Sequence, residues 1–258
     1  MSDIEDIKDQ LPVGSTIITK WEAGSRFYGT DAKQSDHDYV SVFIVPTKII
    51  LRADQYKESI FIAGKSSADE DIQYHEVGKF LKLLANGNIQ FAELVTHGEN
   101  LIKGNDSHPA KNIWDTLEAK GLLKKLALQA FHNSPWHHLR GWFLKTKYKA
   151  ENKGWTVKRA ILMYRCVLEA KAFFEEEKIV HNFPELFKYA PSDLVKEVYE
   201  AKTTSTSFKK FIAVEEELME LETEMMKKSN NKREVYDTDT LVGDILEKIR
   251  YSNLESSF

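Results

Sequence analysis

The stretch WEAGSRFYGTDAKQSDHDYVSVFIVP, residues 21–46, decides the fold. Its last part, Tyr39 to Pro46, is rich in β-branched and aromatic residues and reads as a strand, as does Ser15 to Trp21 before it. Between the two lie a Gly24-Ser25 pair and the sequence Ser35-Asp36-His37-Asp38. In an extended chain, residues i and i+2 point to the same side. Asp36 and Asp38 therefore project together, with His37 and Tyr39 turned the other way. Two such carboxylates repel and raise one another's proton affinity unless a cation lies between them. A divalent metal resolves this, because Mg²⁺ takes oxygen ligands and is commonly held by one or two carboxylates plus substrate phosphates. A pair of such ions can activate an attacking oxygen and stabilise a leaving one. The upstream AGSRFYGT fits the same chemistry. Gly24 allows close approach of the backbone to a phosphate, and Ser25 offers a hydroxyl and an N–H. A helix beginning at Ser25-Arg26 would turn its positive end to the same anion. Taken singly, a Gly-Ser turn and an aspartate pair at a strand edge are ordinary turn chemistry. Their combination is what carries information.

Working outward, the first hundred residues read as mixed α/β. Thr47 to Arg52, Ser59 to Ala63 and Ile72 to His75 are further short strand candidates. EVGKFLKLLANGN then places Val77, Phe80, Leu81 and Leu84 at helical spacing, closed by Asn86-Gly87-Asn88. Ile89 to Val95 fits helix or strand. From about Gly104 a turn and short helix in NDSHPAKNIWDTLEAKG lead to helical periodicity alone, over Gly121–Thr146, Trp155–Glu177, Pro191–Ala201, Ser207–Lys228 and Thr238–Tyr251. The expected architecture is α+β: a small domain with a mixed sheet over 1–104 and a helical domain over 105–258, with a site between them.

Composition sets the outer limits. The formal net charge of -4 over 258 residues supplies no global basic field, so contact with nucleic acid would need a local patch. The single cysteine, Cys166, excludes an internal disulfide and sits in an apolar helical run, so it reads as core. MSDIEDIKDQ lacks the apolar segment of a signal peptide, and no apolar run approaches the ~18 residues of a membrane span. The expectation is a cytoplasmic protein with no membrane partner.

Gly24-Ser25 followed by Ser35-Asp36-His37-Asp38 resembles the signature of the polymerase-β-type nucleotidyltransferases. More narrowly, GSRFYGT…SDHDYVSVFIVP with DIQYHEVGKFLKLLANGNIQFAELV resembles predicted phage and bacterial members, some encoded beside RNA-repair ligases. The likeness covers Ala23 to Val95 best and is visible again in VKRAILMYRCVLEAKAFFEEEKIV and YDTDTLVGDILEKIR. It implies Mg²⁺- or Mn²⁺-dependent transfer of a nucleoside monophosphate from an NTP such as ATP to a hydroxyl, with release of pyrophosphate. By the same resemblance Asp36, Asp38 and a third acid, Asp71, hold the metals, with Asp69 and Glu70 as neighbouring alternatives. Gly24, Ser25 and Arg26 bind the nucleotide phosphates, and Lys158 and Arg165 neutralise them from the helical domain. An RNA or DNA end is the favoured acceptor. The rival readings are a non-catalytic nucleotide- or nucleic-acid-binding protein and a protein-modifying antitoxin or phage counter-defence factor.

Alternation over DIQYH puts Asp71, Gln73 and His75 on one face and Ile72 and Tyr74 on the other. Further on, HNSPWHHLRGWFLKTKYK, residues 132–149, clusters three histidines, two tryptophans and several cations. No H-x-x-x-H spacing or cysteine partner supports zinc there. The choice lies between a base-stacking surface and a core helix with a charged outer face. On the helix from Trp155, Lys158 and Arg165 lie two turns apart on one face, with Lys171 further on; surface salt bridges are the competing explanation. AVEEELMELETEMMKK is an amphipathic acidic helix that reads as structural packing.

Overall fold

The computed structural model describes residues 11–33, 35–52, 55–64, 70–102, 114, 116–133, 135–230 and 235–255. Strand β1 (Thr16–Ala23) runs into a single helical turn α1 (Gly24–Phe27), and strand β2 (His37–Ile44) returns antiparallel beside β1. Helix α2 (Thr47–Leu51), β3 (Ser59–Ile62) and β4 (Glu70–Glu76) follow. The sheet order is β1-β2-β4-β3, with β2 and β4 parallel and the two outer pairs antiparallel. This is the mixed, mainly antiparallel sheet of an α+β protein. Register places Asp38 opposite Asp71 across the parallel pair and Ala23 opposite Asp38 across the antiparallel one.

Alternation on β2 and β4 assigns the two faces. Val40, Val42 and Ile44 enter the main core, whereas Phe43, Ile72 and Tyr74 enter a smaller cluster on the opposite side. Helices α3 (Val77–Ala85) and α4 (Ile89–His97) cover the first face. Glu76 caps α3 by accepting from the Gly78 N–H, and Asn88 caps α4 by accepting from the Phe91 N–H. That second cap settles Ile89 to Val95 as helix. Thr47 to Arg52, expected as a strand, is instead the short helix α2. It starts directly after Pro46 and leaves Ile50 and Leu51 exposed, so its apolar run has no sheet neighbour to bury it.

The remaining chain is helical: α5 (Leu117–Asn133), α6 (His137–Lys153), α7 (Val157–Glu176), a 3₁₀ stretch (Phe183–Tyr189), α8 (Leu194–Thr203), α9 (Phe211–Ser229) and α10 (Thr238–Glu255). The single helix expected over Gly121–Thr146 is two, because Pro135 lies between them and cannot continue the hydrogen-bond ladder of α5. Helix α7 is the axis of this half. Its buried face runs from Ala160 through Cys166 to Phe173, and α9 packs against it through Val214, Leu218, Leu221 and Met225. One apolar core extends without interruption from Ile18 in β1 to Ile249 in α10. The junction expected at 104/105 and most of the short helix before α5 lie outside the described residues. Among the described residues, no helix is long and apolar enough to cross a membrane.

Candidate functional site

The site forms where β1 ends, α1 turns and β2 begins. Gly24 has φ +64°, a left-handed conformation that L side chains rarely adopt. A Cβ on it would fall 1.8 Å from Oδ2 of Asp38. The glycine thus permits both the turn and the seating of that carboxylate against the backbone. Four residues of α1 are too few for a useful macrodipole, so the helix-end attraction for an anion expected at Ser25-Arg26 is absent from this turn. The carbonyl of Ser25 accepts from the Thr30 N–H at 2.8 Å, which tightens the loop. Arg26, expected at the nucleotide, donates to the Ser35 carbonyl at 3.1 Å, while the Ser35 hydroxyl accepts from the Ala32 N–H at 2.9 Å. The guanidinium therefore clips the loop that delivers Asp36.

Asp36, Asp38 and Asp71 each present an oxygen, and these three atoms lie within 4.8 Å of one another. Asp71 reaches the pair from β4, its Oδ1 accepting from the Gly64 N–H at 2.8 Å. Burial first, then the charges of Asp36 and Asp71, raise the proton affinity of Asp38, and the charge of Lys158 opposes them. A half-buried acid beside two others, with one opposing cation, is an electrostatic demand for more positive charge. Three carboxylates without a histidine or thiol suit a hard, oxygen-preferring divalent ion such as Mg²⁺ or Mn²⁺. Among the described residues no other group of acids, histidines and cysteines comes together in this way. Glu70, the alternative third acid, is engaged by Lys20 at 2.9 Å, and the lysine lies over the Tyr39 ring. Asp69 lies outside the described residues.

The two cations expected from α7 separate. Lys158 is exposed at the start of the helix, and its charge acts on Asp38. Arg165 is only 4% exposed and donates to both oxygens of Glu93, at 2.9 and 3.2 Å. Its guanidinium also lies 3.5 Å from the centre of the Tyr28 ring, and Tyr28 donates its hydroxyl to Glu93 at 3.0 Å. A guanidinium in the core must be paired, and this pairing removes it from any triphosphate. The expectation for Arg165 is corrected accordingly: it anchors the site's framework. Lys171, the further cation on that helix, faces Glu224 at 3.7 Å.

The sequence reading missed the supporting residues Tyr28, Glu93 and Glu169. The signal was present, since Glu93 and Glu169 are acids set within apolar runs, FAELV and VLEAKAFF, and both are fully buried. The cluster ties α1, α4 and α7 together directly behind the Gly24-Ser25 turn.

No curated protein matches the chain. A family model, the RNA repair pathway DNA polymerase beta family, matches residues 1–242. With the glycine-serine turn, the aspartate pair and the third strand-borne acid already assembled, the chain belongs to that family of polymerase-β-type proteins.

Proposed function

We propose that the protein transfers a nucleoside monophosphate from an NTP to a hydroxyl group, a polynucleotide end being the favoured acceptor. The observation that carries this is the convergence of Asp36, Asp38 and Asp71 within 4.8 Å beside the Gly24-Ser25 turn. In the reaction the acceptor oxygen bonds to the α-phosphorus, the α–β anhydride bond breaks, and pyrophosphate leaves with its electrons. A bound Mg²⁺ or Mn²⁺ would supply Lewis-acid polarisation of the phosphate oxygens and lower the acceptor's pKa. Asp36 and Asp38 would hold the ions; Asp71 would complete one coordination shell and take the hydroxyl proton. Ser25, with its N–H and hydroxyl beside the Gly24 backbone, would bind the β- and γ-phosphates. Lys158 would neutralise part of their charge and fix their register. The donor would be drawn from the cytoplasmic NTP pool, ATP included.

The test is incubation with each α-labelled NTP, divalent metal and a mixed pool of RNA, DNA and protein. Label should appear on an acceptor, with pyrophosphate as co-product. Asp38→Asn should reduce labelling by about 1000-fold or more while the melting temperature holds or rises, since one of three repelling charges is gone. Undiminished labelling by this variant would refute the assignment, and label confined to protein would redirect it to a protein-modifying enzyme.

A further inference from the structure

Helix α6 carries lysines on both flanks, and the structure treats the two flanks differently. Its buried stripe is Leu139, Phe143, Thr146 and Ala150. On one side of that stripe Lys147 is paired with Glu222 of α9 at 3.4 Å. The other side faces the sheet-bearing half. There the His138 ring abuts the Gly87 turn, so that a Cβ on Gly87 would meet it at 2.8 Å. Trp142 is one turn further along and 38% exposed, its ring 5.9 Å from the Arg165 guanidinium behind α1. Lys145, Lys149 and Lys153 continue this flank at i+3, i+7 and i+11 from Trp142, all exposed and without a carboxylate partner among the described residues. The helix ends beside the start of α7, where Arg159 donates to the Lys153 and Gly154 carbonyls. Lys158, whose charge reaches Asp38, is adjacent.

We infer that this flank of α6 is a track for a single-stranded polynucleotide whose terminal hydroxyl is delivered to the Asp36/Asp38/Asp71 cluster. The inference rests on the nucleotidyl-transfer reading for its chemistry and on the track itself for its ligand. Trp142 to Lys153 spans about 16 Å of helix, longer than the phosphates of one nucleotide and suited to a chain of them. Unpaired cations in a row, on a protein of net charge -4, create a local field where the sequence as a whole provides none. An exposed indole at the far end offers a stacking face, and only an unpaired base can use it. The combination of a cationic row and an aromatic platform fits a single strand over a duplex, which would present no free base to Trp142.

The decisive experiment measures binding of fluorescein-labelled 12-nucleotide RNA and DNA of one sequence, plus the same RNA annealed into a blunt duplex, by anisotropy across a salt series. Separately, NTP binding and label transfer are followed in the presence of Mg²⁺. Lys145→Glu/Lys149→Glu should weaken binding at least tenfold. The uncharged Lys145→Gln/Lys149→Gln should lower the slope of log affinity against log salt by about 1.4, two phosphate contacts' worth for a single strand. Trp142→Leu should weaken binding about fivefold or more and abolish the part of the tryptophan quenching that RNA produces in the wild type, with Trp142→Phe restoring most of the affinity. All these variants should bind NTP as the wild type does. Comparison of the RNA and DNA arms identifies the sugar preferred. Unchanged affinity in the Lys145/Lys149 variants, equal affinity for the duplex, or no binding of either strand by the wild type would overturn the track. If the variants lose the strand but wild-type protein transfers no nucleotide, the track stands and the catalytic reading fails.

Discussion

Asp38 is held in place by what its neighbour lacks. Gly24 supplies a backbone at φ +64° and an empty Cβ position occupied by the Asp38 carboxylate. Gly24→Ala therefore combines left-handed strain of about 1–2 kcal/mol with a 1.8 Å overlap that Asp38 must relieve by moving. A displacement of about 1 Å in a positioned catalytic group costs about 100-fold in rate. The expected result is a folded protein, slightly less stable, with label transfer down by about two orders of magnitude; transfer within threefold of wild type would show that Asp38 tolerates another seat. The sequence exposed this part of the site because its chemistry is local. Gly24, Ser25, Asp36 and Asp38 fall within fifteen residues, and strand alternation alone sets the carboxylates side by side. Asp71 comes from a parallel neighbour that no local pattern can place, and only the family likeness singled it out. The sequence leaves Arg165 open between nucleotide and salt bridge, because its two possible partners, a phosphate and a carboxylate, ask the same of a helix face. The burial of Glu93 decides between them.

Three segments of the chain meet at the Tyr28–Glu93–Arg165–Glu169 cluster. Glu93 receives Arg165 and Tyr28, whereas neither oxygen of the fully buried Glu169 meets a donor, and its nearest cation contact is Arg165 Nε at 3.8 Å. Burial, then the charge of Glu93, pushes the Glu169 carboxyl well above its ordinary 4.5, so Glu169 keeps its proton to higher pH in the fold than in the unfolded chain. Unfolded, Glu169 releases that proton near 4.5. Stability from this group is therefore full below that pH and is lost as pH rises towards the raised folded value. Glu169→Gln, which keeps a donor and cannot ionise, should flatten the fall in urea midpoint between pH 5 and 8 and leave neutral-pH stability equal or higher. Glu93→Ala should cost about 3–5 kcal/mol by leaving Arg165 buried without its main partner. An unaltered pH profile in Glu169→Gln would mean that Glu169 is ionised in the fold. Most elements were legible from periodicity, the long amphipathic ones best. The exceptions, α2 and the break between α5 and α6, turn on prolines whose effect depends on what lies beyond them.

At the scale of the whole molecule the C-terminal helix closes the chain back onto its beginning. Helix α10 ends well past residue 242, where the family match stops, yet it reaches the sheet. Arg250 donates to the Val45 carbonyl at 3.1 Å and to the carboxylate of Glu76, which is 2% exposed. Glu76 ends β4 and caps α3 through the Gly78 N–H, so one carboxylate joins the last helix, a central strand and the helix packed on it. Ile245 and Ile249 bury the same face of α10 in the main core. This clasp lies remote in the sequence from the Gly24-Ser25 turn, and none of its residues belongs to the acidic cluster. Its loss should therefore act on stability and spare the chemistry. Arg250→Met keeps the aliphatic packing and removes the cation, leaving the buried Glu76 side chain with the Gly78 N–H as its backbone donor, at a cost of about 3 kcal/mol. Arg250→Met/Glu76→Gln should recover at least half of that loss, because the buried charge goes with its partner. In urea unfolding the single variant should shift the midpoint downward with an unchanged slope, and at 20 °C its label transfer per folded molecule should match the wild type. A fall in transfer of tenfold or more at full folding would mean that α10 reaches the site through β4, with the Asp38–Asp71 register set from the far end of the strand.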